Sequence, residues 1–433
     1  MFTLGLLLTY GILGNALALL LFRALQRTTV DRASILFGSI GLAPGIVSIV
    51  LYLCFLLLPG ASHFIYIGIV LAVFAIAPAL SWRSFPQLAE TYRSLFSRPC
   101  YLSGWSTIRV IVAIAILAIV LFASYKAILF PIQAHDALKH ATTGRILYEN
   151  CSLEYVPSNY PPGLHLLYVW SYLLQGGISS DYGVRTVAPI YLILTALLVW
   201  RWGEVLGKGA GLFAVLALVT VSVYTLEAMY NSIDAIRIFF FALGIFWVYW
   251  LTVQYSAPLL GIAVFTLVLA LFTHAVGIVA LPIAGILYCL FAKGRVIRRV
   301  GTGIALVLPA ATIGLLAYPY QSIKIISNLQ GRAIWLATNA PDLSIVQHIL
   351  TNYKFYGILP LLFLLSLLPL LWKGYQENRG FIFVAIGAVL TIGLIYGYLL
   401  CFDLYRYYMT AAPFAALCAG VLLSTLDGRA ESS

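Results

Sequence analysis

Asp136 lies in the run Ala134-His135-Asp136-Ala137-Leu138-Lys139-His140, and Tyr160-Pro161-Pro162-Gly163 follows in the same polar stretch. A carboxylate placed there is a candidate general base for deprotonating a hydroxyl. His135, Lys139, His140 and Tyr160 are candidate hydrogen-bond and charge partners for a bound substrate. Asp136, Lys139, His140 and Thr143 recur at spacings of three and four, so on a helix they share one face. Farther along, Asp234 and Arg237 stand three residues apart, His274 follows an apolar run, and Arg406 precedes Tyr407. Guanidinium groups suit phosphate oxygens, which they grip with paired N–H donors. Each residue also has a plainer role. Asp136 and Asp234 are good helix N-caps, Arg406 reaches Asp403 or lipid headgroups, and His274 fits a hydrogen-bonded core position. His135 and His140 flank Asp136 as metal ligands would, but sequence neighbours need not converge. The chemistry requires no cofactor, and a divalent cation is compatible with it.

The elements that must position these residues are membrane helices. Of the 433 residues, 62% are hydrophobic and 9% charged, and the mean hydropathy is +1.00, which leaves little polar surface for water. The apolar runs are long and uniform rather than alternating, so the fold class is all-α and a transmembrane β-barrel is excluded. Runs of about 20 apolar residues predict thirteen crossings. They fall near 2–22, 33–58, 64–81, 107–130, 186–202, 209–228, 234–253, 258–273, 275–292, 300–318, 354–372, 380–400 and 407–425. The first run has no preceding Lys or Arg, so a retained helix is expected rather than a signal peptide.

Threading these crossings in order gathers most of the 25 Lys and Arg residues on one side. That side carries Arg23, Arg27 and Arg32, then Arg83 to Arg109, Arg201, Lys208, the cluster Lys293 to Arg299, Lys373 and Arg379. The positive-inside rule makes it the cytoplasm, with the N-terminus outside and the C-terminus cytoplasmic. The net charge of +11 thus reads as attraction to membrane lipids in short turns, and nucleic acid is excluded as a partner. The six cysteines show no CxxC spacing and behave as small hydrophobes.

Two long polar stretches, about 131–185 and 319–353, fall on the outer face, so chemistry is expected there. The first predicts two amphipathic helices at the interface, near Asp136 to Glu149 and Pro162 to Gly176. The second contains Lys324, Arg332, Trp335 and Asp342 and hangs over the first. The chain divides into N-terminal helices with a basic loop, 1–106, a core, 107–292, and C-terminal helices, 293–433.

The order of motifs resembles the GT-C superfamily of integral membrane glycosyltransferases, including the protein O-mannosyltransferases and lipid A aminoarabinose transferases. The resemblance rests on His135-Asp136-Ala137, Tyr160-Pro161-Pro162-Gly163-Leu164-His165 and Tyr182-Gly183-Val184-Arg185. Leu206 to Gly211, Tyr230-Asn231-Ser232-Ile233-Asp234 and Arg406 to Pro413 extend it. It covers residues 107–290 well and the C-terminal motif loosely. The family often has two adjacent acidic residues in its first loop, where this chain has His135-Asp136-Ala137. The first three helices lie outside it, and no soluble outer domain follows the last helix.

The resemblance implies a sugar donor carried on a polyprenyl phosphate and an acceptor glycan, lipid or protein, meeting on the outer face of a plasma membrane. Asp136 is then the base of an inverting displacement. Arg406, Arg237 and His274 receive the leaving phosphate, with His135, Lys139, His140, Tyr160 and Asp234 as further substrate contacts. No nucleotide-binding fold is needed, and the chain has no Walker motif. The alternatives are a multi-helix transporter, a glycan ligase or polymerase using a lipid-diphosphate donor, and a non-catalytic subunit of a glycan-assembly complex. A carrier would place its ionisable groups near the bilayer midplane and show internal repeats, whereas Asp136, Asp234 and Arg406 map to one face.

Overall fold

The computed structural model describes residues 2–96, 106–132, 135–156, 160–317, 326–327, 330–331, 349, 351–368, 378–398 and 405–430. Among them every regular element is helical. The helices α1 (Phe2–Ala24), α2 (Arg32–Leu57), α3 (His63–Ser81) and α4 (Phe85–Phe96) precede α5 (Thr107–Leu129). Then come α6 (His135–Asn150), α7 (Gly163–Gln175), the short α8 (Tyr182–Arg185), α9 (Val187–Leu206), α10 (Ala210–Val219) and α11 (Ser222–Met229). The chain continues with α12 (Asp234–Val253), α13 (Ala257–Thr273), α14 (Ala280–Phe291), α15 (Val296–Leu316), α16 (Tyr353–Tyr356) and α17 (Leu359–Leu367). It ends with α18 (Arg379–Tyr398), α19 (Tyr405–Tyr408) and α20 (Ala412–Ala430).

Among the described residues eight helices are long and apolar enough to cross a bilayer, and three shorter apolar helices accompany them. This is a multi-pass membrane protein. The thirteen predicted crossings are not reached among the described residues, and the run 354–372 is described only in part. The predicted crossing 209–228 is a pair, α10 and α11, bent by 68°. Hydroxyl groups explain why the break is tolerated: Thr220 Oγ1 donates to the Leu216 carbonyl at 2.9 Å, and Thr225 Oγ1 donates to the Val219 carbonyl at 2.6 Å. The Thr225 hydroxyl thereby serves a carbonyl at the break, while the Leu216 carbonyl also keeps the Thr220 amide at 3.1 Å.

Packing is centred on α12, which is 89% buried along its span, whereas α5 is 11% buried and exposes its Ile and Leu residues. The exposed apolar face of α5 is the lipid face. The N-terminal hairpin packs deeply against this core. Gly38, Gly41 and Gly45 of α2 lie under Trp247, Phe239 and Leu269, where a Cβ would approach side-chain carbons within 2.2 to 2.6 Å.

Tertiary bonds sort the helix ends into two groups. At one end Arg109 pairs with Asp427 at 2.7 Å, Asn378 donates to the Leu206 carbonyl at 3.3 Å, and Arg379 donates to the Phe291 carbonyl at 3.0 Å. Arg201 and Asp31 meet at 2.5 Å at the same end. At the other end Ser48 donates to the Gly163 carbonyl, His63 approaches the Tyr148 carbonyl, and Asn231 donates to the Ala127 carbonyl. The first end carries the basic turns. The second carries the candidate site.

Candidate active site

The strongest constellation begins at the turn between α11 and α12. Asn231 adopts the left-handed region with φ +58°, a conformation that Asn tolerates better than most residues. Its Nδ2 donates to the Ala127 carbonyl at 3.2 Å, and its own carbonyl accepts from the Tyr168 hydroxyl at 3.4 Å. The turn is thereby tied to α5 and α7. It delivers Asp234 to the first turn of α12, where the helix dipole favours a negative charge.

Asp234 and Arg237 are each 1% exposed. Arg237 Nη1 lies 2.7 Å from Asp234 Oδ1, one helical turn away. Arg237 Nη2 donates to the Arg406 carbonyl at 2.9 Å. Its Nε has no hydrogen-bond partner among the described residues, which leaves a buried cationic donor available. Two guanidinium groups lie over the Tyr407 ring, Arg237 at 4.7 Å and Arg406 at 5.2 Å from its centre. The aromatic face holds two cations close together that would otherwise repel.

His274 completes this side. It follows α13 with extended backbone, and its Nδ1 accepts the Val276 amide at 3.0 Å. The proton of its neutral ring therefore resides on Nε2. The ring centre lies 5.9 Å from that of Tyr407. Glu227 on α11 lies within electrostatic reach of Asp234, Arg406 and Arg237, and the Ser232 hydroxyl stands 3.3 Å from Asp234 Oδ2. Two guanidinium groups thus face two carboxylates. The sequence presented Glu227 only as an isolated carboxylate in an apolar run, and Tyr407 as part of a terminal motif. The signal for both was their neighbourhood in space, which spacing along the chain does not carry.

The chain leads from this cluster into the wall of an apolar cavity of about 180 Å³. Tyr408 and Met409 line it directly after Arg406 and Tyr407, together with Val221 at the α10–α11 break and Leu359 and Phe363 of α17.

A second constellation joins α6 to α7. His140 Nδ1 lies 2.9 Å from His165 Nε2, and both rings are buried. One ring therefore donates while the other accepts. Burial, followed by the charge of His140, lowers the His165 pKa to about 3, so His165 is neutral. Tyr160 stands edge-on to His140 with ring centres 4.5 Å apart, and the Lys139 ammonium lies 4.9 Å above the Tyr160 ring. Lys139 itself is exposed and His140 is not, so the predicted shared face of α6 divides into an outward and an inward part.

The Tyr-Pro-Pro-Gly turn has a steric reason. A Cβ on Gly163 would lie 2.5 Å from the Phe272 carbonyl oxygen, two residues before His274. Glycine lets α7 begin against the end of α13, and Ser48 Oγ fixes the Gly163 carbonyl at 2.7 Å. Every residue from Gly163 to Leu173 is buried, so α7 is more enclosed than its mixed stripe of apolar and aromatic residues predicts. Gly176, with φ +78°, caps its end.

His135 and Asp136 open α6, and their side chains fall outside the described residues, as do Asp403, Lys324, Arg332, Trp335 and Asp342. Of the predicted site residues, the structure gathers Asp234, Arg237, His274 and Arg406 in one cluster and Lys139, His140 and Tyr160 in another. Among the described residues no group of three His, Cys, Asp or Glu side chains is placed to hold a metal ion.

Two crystal structures of ArnT from Cupriavidus metallidurans share this architecture. The apo state aligns over 74% of this chain and 61% of that one, at 16% identity and a TM-score of 0.51. The form bound to undecaprenyl phosphate aligns over 72% and 60%, at 15% identity and a TM-score of 0.50. An Archaeoglobus fulgidus oligosaccharyltransferase in complex with Zn and sulfate aligns over 72% and 50%, at 13% identity and a TM-score of 0.49. No family model matches the sequence, and no curated protein matches it. The chain spans about 60% of the length of ArnT. The chain thus shares its fold with ArnT.

Proposed function

We propose that this membrane protein is a glycosyltransferase that moves a sugar from a polyprenyl-phosphate carrier to an acceptor hydroxyl. The observation that carries the reading is the Asp234–Arg237–Arg406–Tyr407 cluster at one end of a GT-C fold, with Asp234 and Arg237 buried and an apolar cavity lined by Tyr408 and Met409, the next residues of the chain. A lipid phosphate needs both features, since its head is anionic and its tail is apolar. ArnT, with the same fold, has been crystallised with undecaprenyl phosphate.

In this reading Asp136, at the start of α6, accepts the proton of the acceptor hydroxyl. The acceptor oxygen bonds to the anomeric carbon while the bond from that carbon to the phosphate oxygen breaks. One base and no covalent intermediate give inversion, by extension of the glycosidase logic. The leaving phosphate gains negative charge, which Arg237 Nε, Arg406 and the His274 Nε2 proton neutralise. Asp234 holds Arg237 in place. His135, Lys139 and Tyr160 contact the sugar or acceptor, and His140 acts on them through its packing against His165. A divalent cation beside Asp136 is compatible with this chemistry. The site faces the outer side of a plasma membrane, because the opposite end carries the basic turns that the positive-inside rule assigns to the cytoplasm.

The test is binding of radiolabelled undecaprenyl phosphate to purified protein in nanodiscs. Wild type should bind it, and Arg406→Ala should weaken binding by about tenfold or more, as the loss of a charge-assisted contact requires. Equal binding by the two proteins, or none by either, would remove the phosphate from this cluster and favour a carrier or a subunit.

A further inference from the structure

The basic end of the molecule, opposite the candidate active site, holds a second cavity of about 210 Å³. It lies between the last turn of α12, the end of α14 and the start of α18, and is lined by Tyr249, Thr252, Phe291, Lys293, Arg379 and Phe383. Among the described residues no acidic side chain lines it. Arg379 Nη2 donates to the Phe291 carbonyl at 3.0 Å, which anchors the guanidinium at the C-terminus of α14 and leaves its other N–H groups available. Lys293 makes no hydrogen bond or ion pair among the described residues. Arg298 lies 5.8 Å over the Tyr255 ring nearby, and Arg299 Nη1 donates to the Cys289 carbonyl. Val253 and Tyr255, 42% and 47% exposed, continue the apolar surface along the outside of the bundle.

We infer that this cavity binds the phosphodiester headgroup of an anionic phospholipid of the surrounding leaflet. Two cations, with no carboxylate among the described lining residues, match one phosphodiester charge with excess positive potential. The aromatic walls take the glycerol and first acyl carbons, which a free phosphate ion would leave uncovered. Basic pockets between helix ends on the positively charged side of a membrane protein are suited to such headgroups. The site lies at the far end from Arg406 and does not depend on the reading of that cluster as a donor site.

Native mass spectrometry of the detergent-solubilised protein, titrated with phosphatidylglycerol or with phosphatidylcholine of identical acyl chains, tests this. Phosphatidylglycerol should be retained preferentially. Lys293→Gln with Arg379→Gln should weaken it roughly 25-fold, at about fivefold for each cation near the surface. Lys293→Gln alone alters an exposed, unpaired side chain and should cost about fivefold without disturbing the fold. Arg295→Gln with Arg298→Gln, outside the cavity, should change binding less than the Lys293 substitution. Soluble glycerol phosphate should fail to displace the lipid. The inference is overturned if phosphatidylcholine binds equally well or if the two pairs of substitutions have equal effects. It is also overturned if glycerol phosphate competes as well as the lipid, since the ligand is then a free anion.

Discussion

Replacing Arg237 by alanine should be among the most damaging single changes at the candidate active site. The side chain is 1% exposed, pairs with Asp234 at 2.7 Å, donates to the Arg406 carbonyl at 2.9 Å and stacks on Tyr407 at 4.7 Å. Removal leaves the Asp234 carboxylate buried and uncompensated, which costs about 3–5 kcal/mol in comparable cases. The orphaned Arg406 carbonyl adds about 1 kcal/mol. Removing both partners in Asp234→Ala with Arg237→Ala eliminates the stranded charge, so the double variant should be more stable than Arg237→Ala alone by about 2 kcal/mol or more. The assay is unfolding in detergent mixed micelles by titration with dodecyl sulfate, read by loss of helical circular dichroism. A loss below about 1 kcal/mol for Arg237→Ala, or strictly additive effects of the two substitutions, would refute the buried-pair reasoning.

Other changes follow from the same geometry. Glu227→Gln removes an ionisable carboxyl near Arg237 and Arg406, so binding of undecaprenyl phosphate should tighten by up to roughly 1 kcal/mol, about fivefold, in an equilibrium binding assay above neutral pH. Gly163→Ala drives a Cβ to 2.5 Å from the Phe272 carbonyl oxygen, and the resulting overpacking should cost about 1–3 kcal/mol by the same unfolding titration. His165 is held near pKa 3 in the fold but titrates near 6.5 when unfolded. The unfolded chain therefore binds the extra proton first, and stability present above about pH 6.5 falls as the pH drops towards 3. At pH 5 the loss should be about 2 kcal/mol relative to pH 7.5, and His165→Gln should flatten that part of the profile.

Much of the fold was legible because membrane helices announce themselves by length and uniform apolarity. The polar loop after α5 yielded helices near Asp136 to Glu149 and Pro162 to Gly176, and the structure places them at His135–Asn150 and Gly163–Gln175. Their ends are marked by local chemistry, a Pro-Pro-Gly turn and the left-handed Gly176. The 68° bend between α10 and α11 was not legible, since the Thr225 hydroxyl reaches the Val219 carbonyl across the break, a partner set by the bend itself. Asp234, Arg237, His274 and Arg406 were readable as charged or polar residues at helix ends on one face. Glu227, Tyr407 and His165 were visible in the sequence but were given no role in the site. Each takes its role from a neighbour on another helix: Glu227 from Arg406, Tyr407 from Arg237, and His165 from His140. Sequence spacing reports partners on one helix, whereas these contacts depend on how helices pack.

The most direct measurement of the central claim is sugar transfer itself. Purified protein in nanodiscs would be incubated with radiolabelled polyprenyl-phosphate sugars and a membrane extract supplying acceptors, with Asp136→Asn assayed alongside. The predicted result is transfer by the wild type that Asp136→Asn abolishes while donor binding persists. Absence of transfer from every donor by the wild type contradicts the glycosyltransferase reading, and undiminished transfer by Asp136→Asn contradicts the assignment of the base.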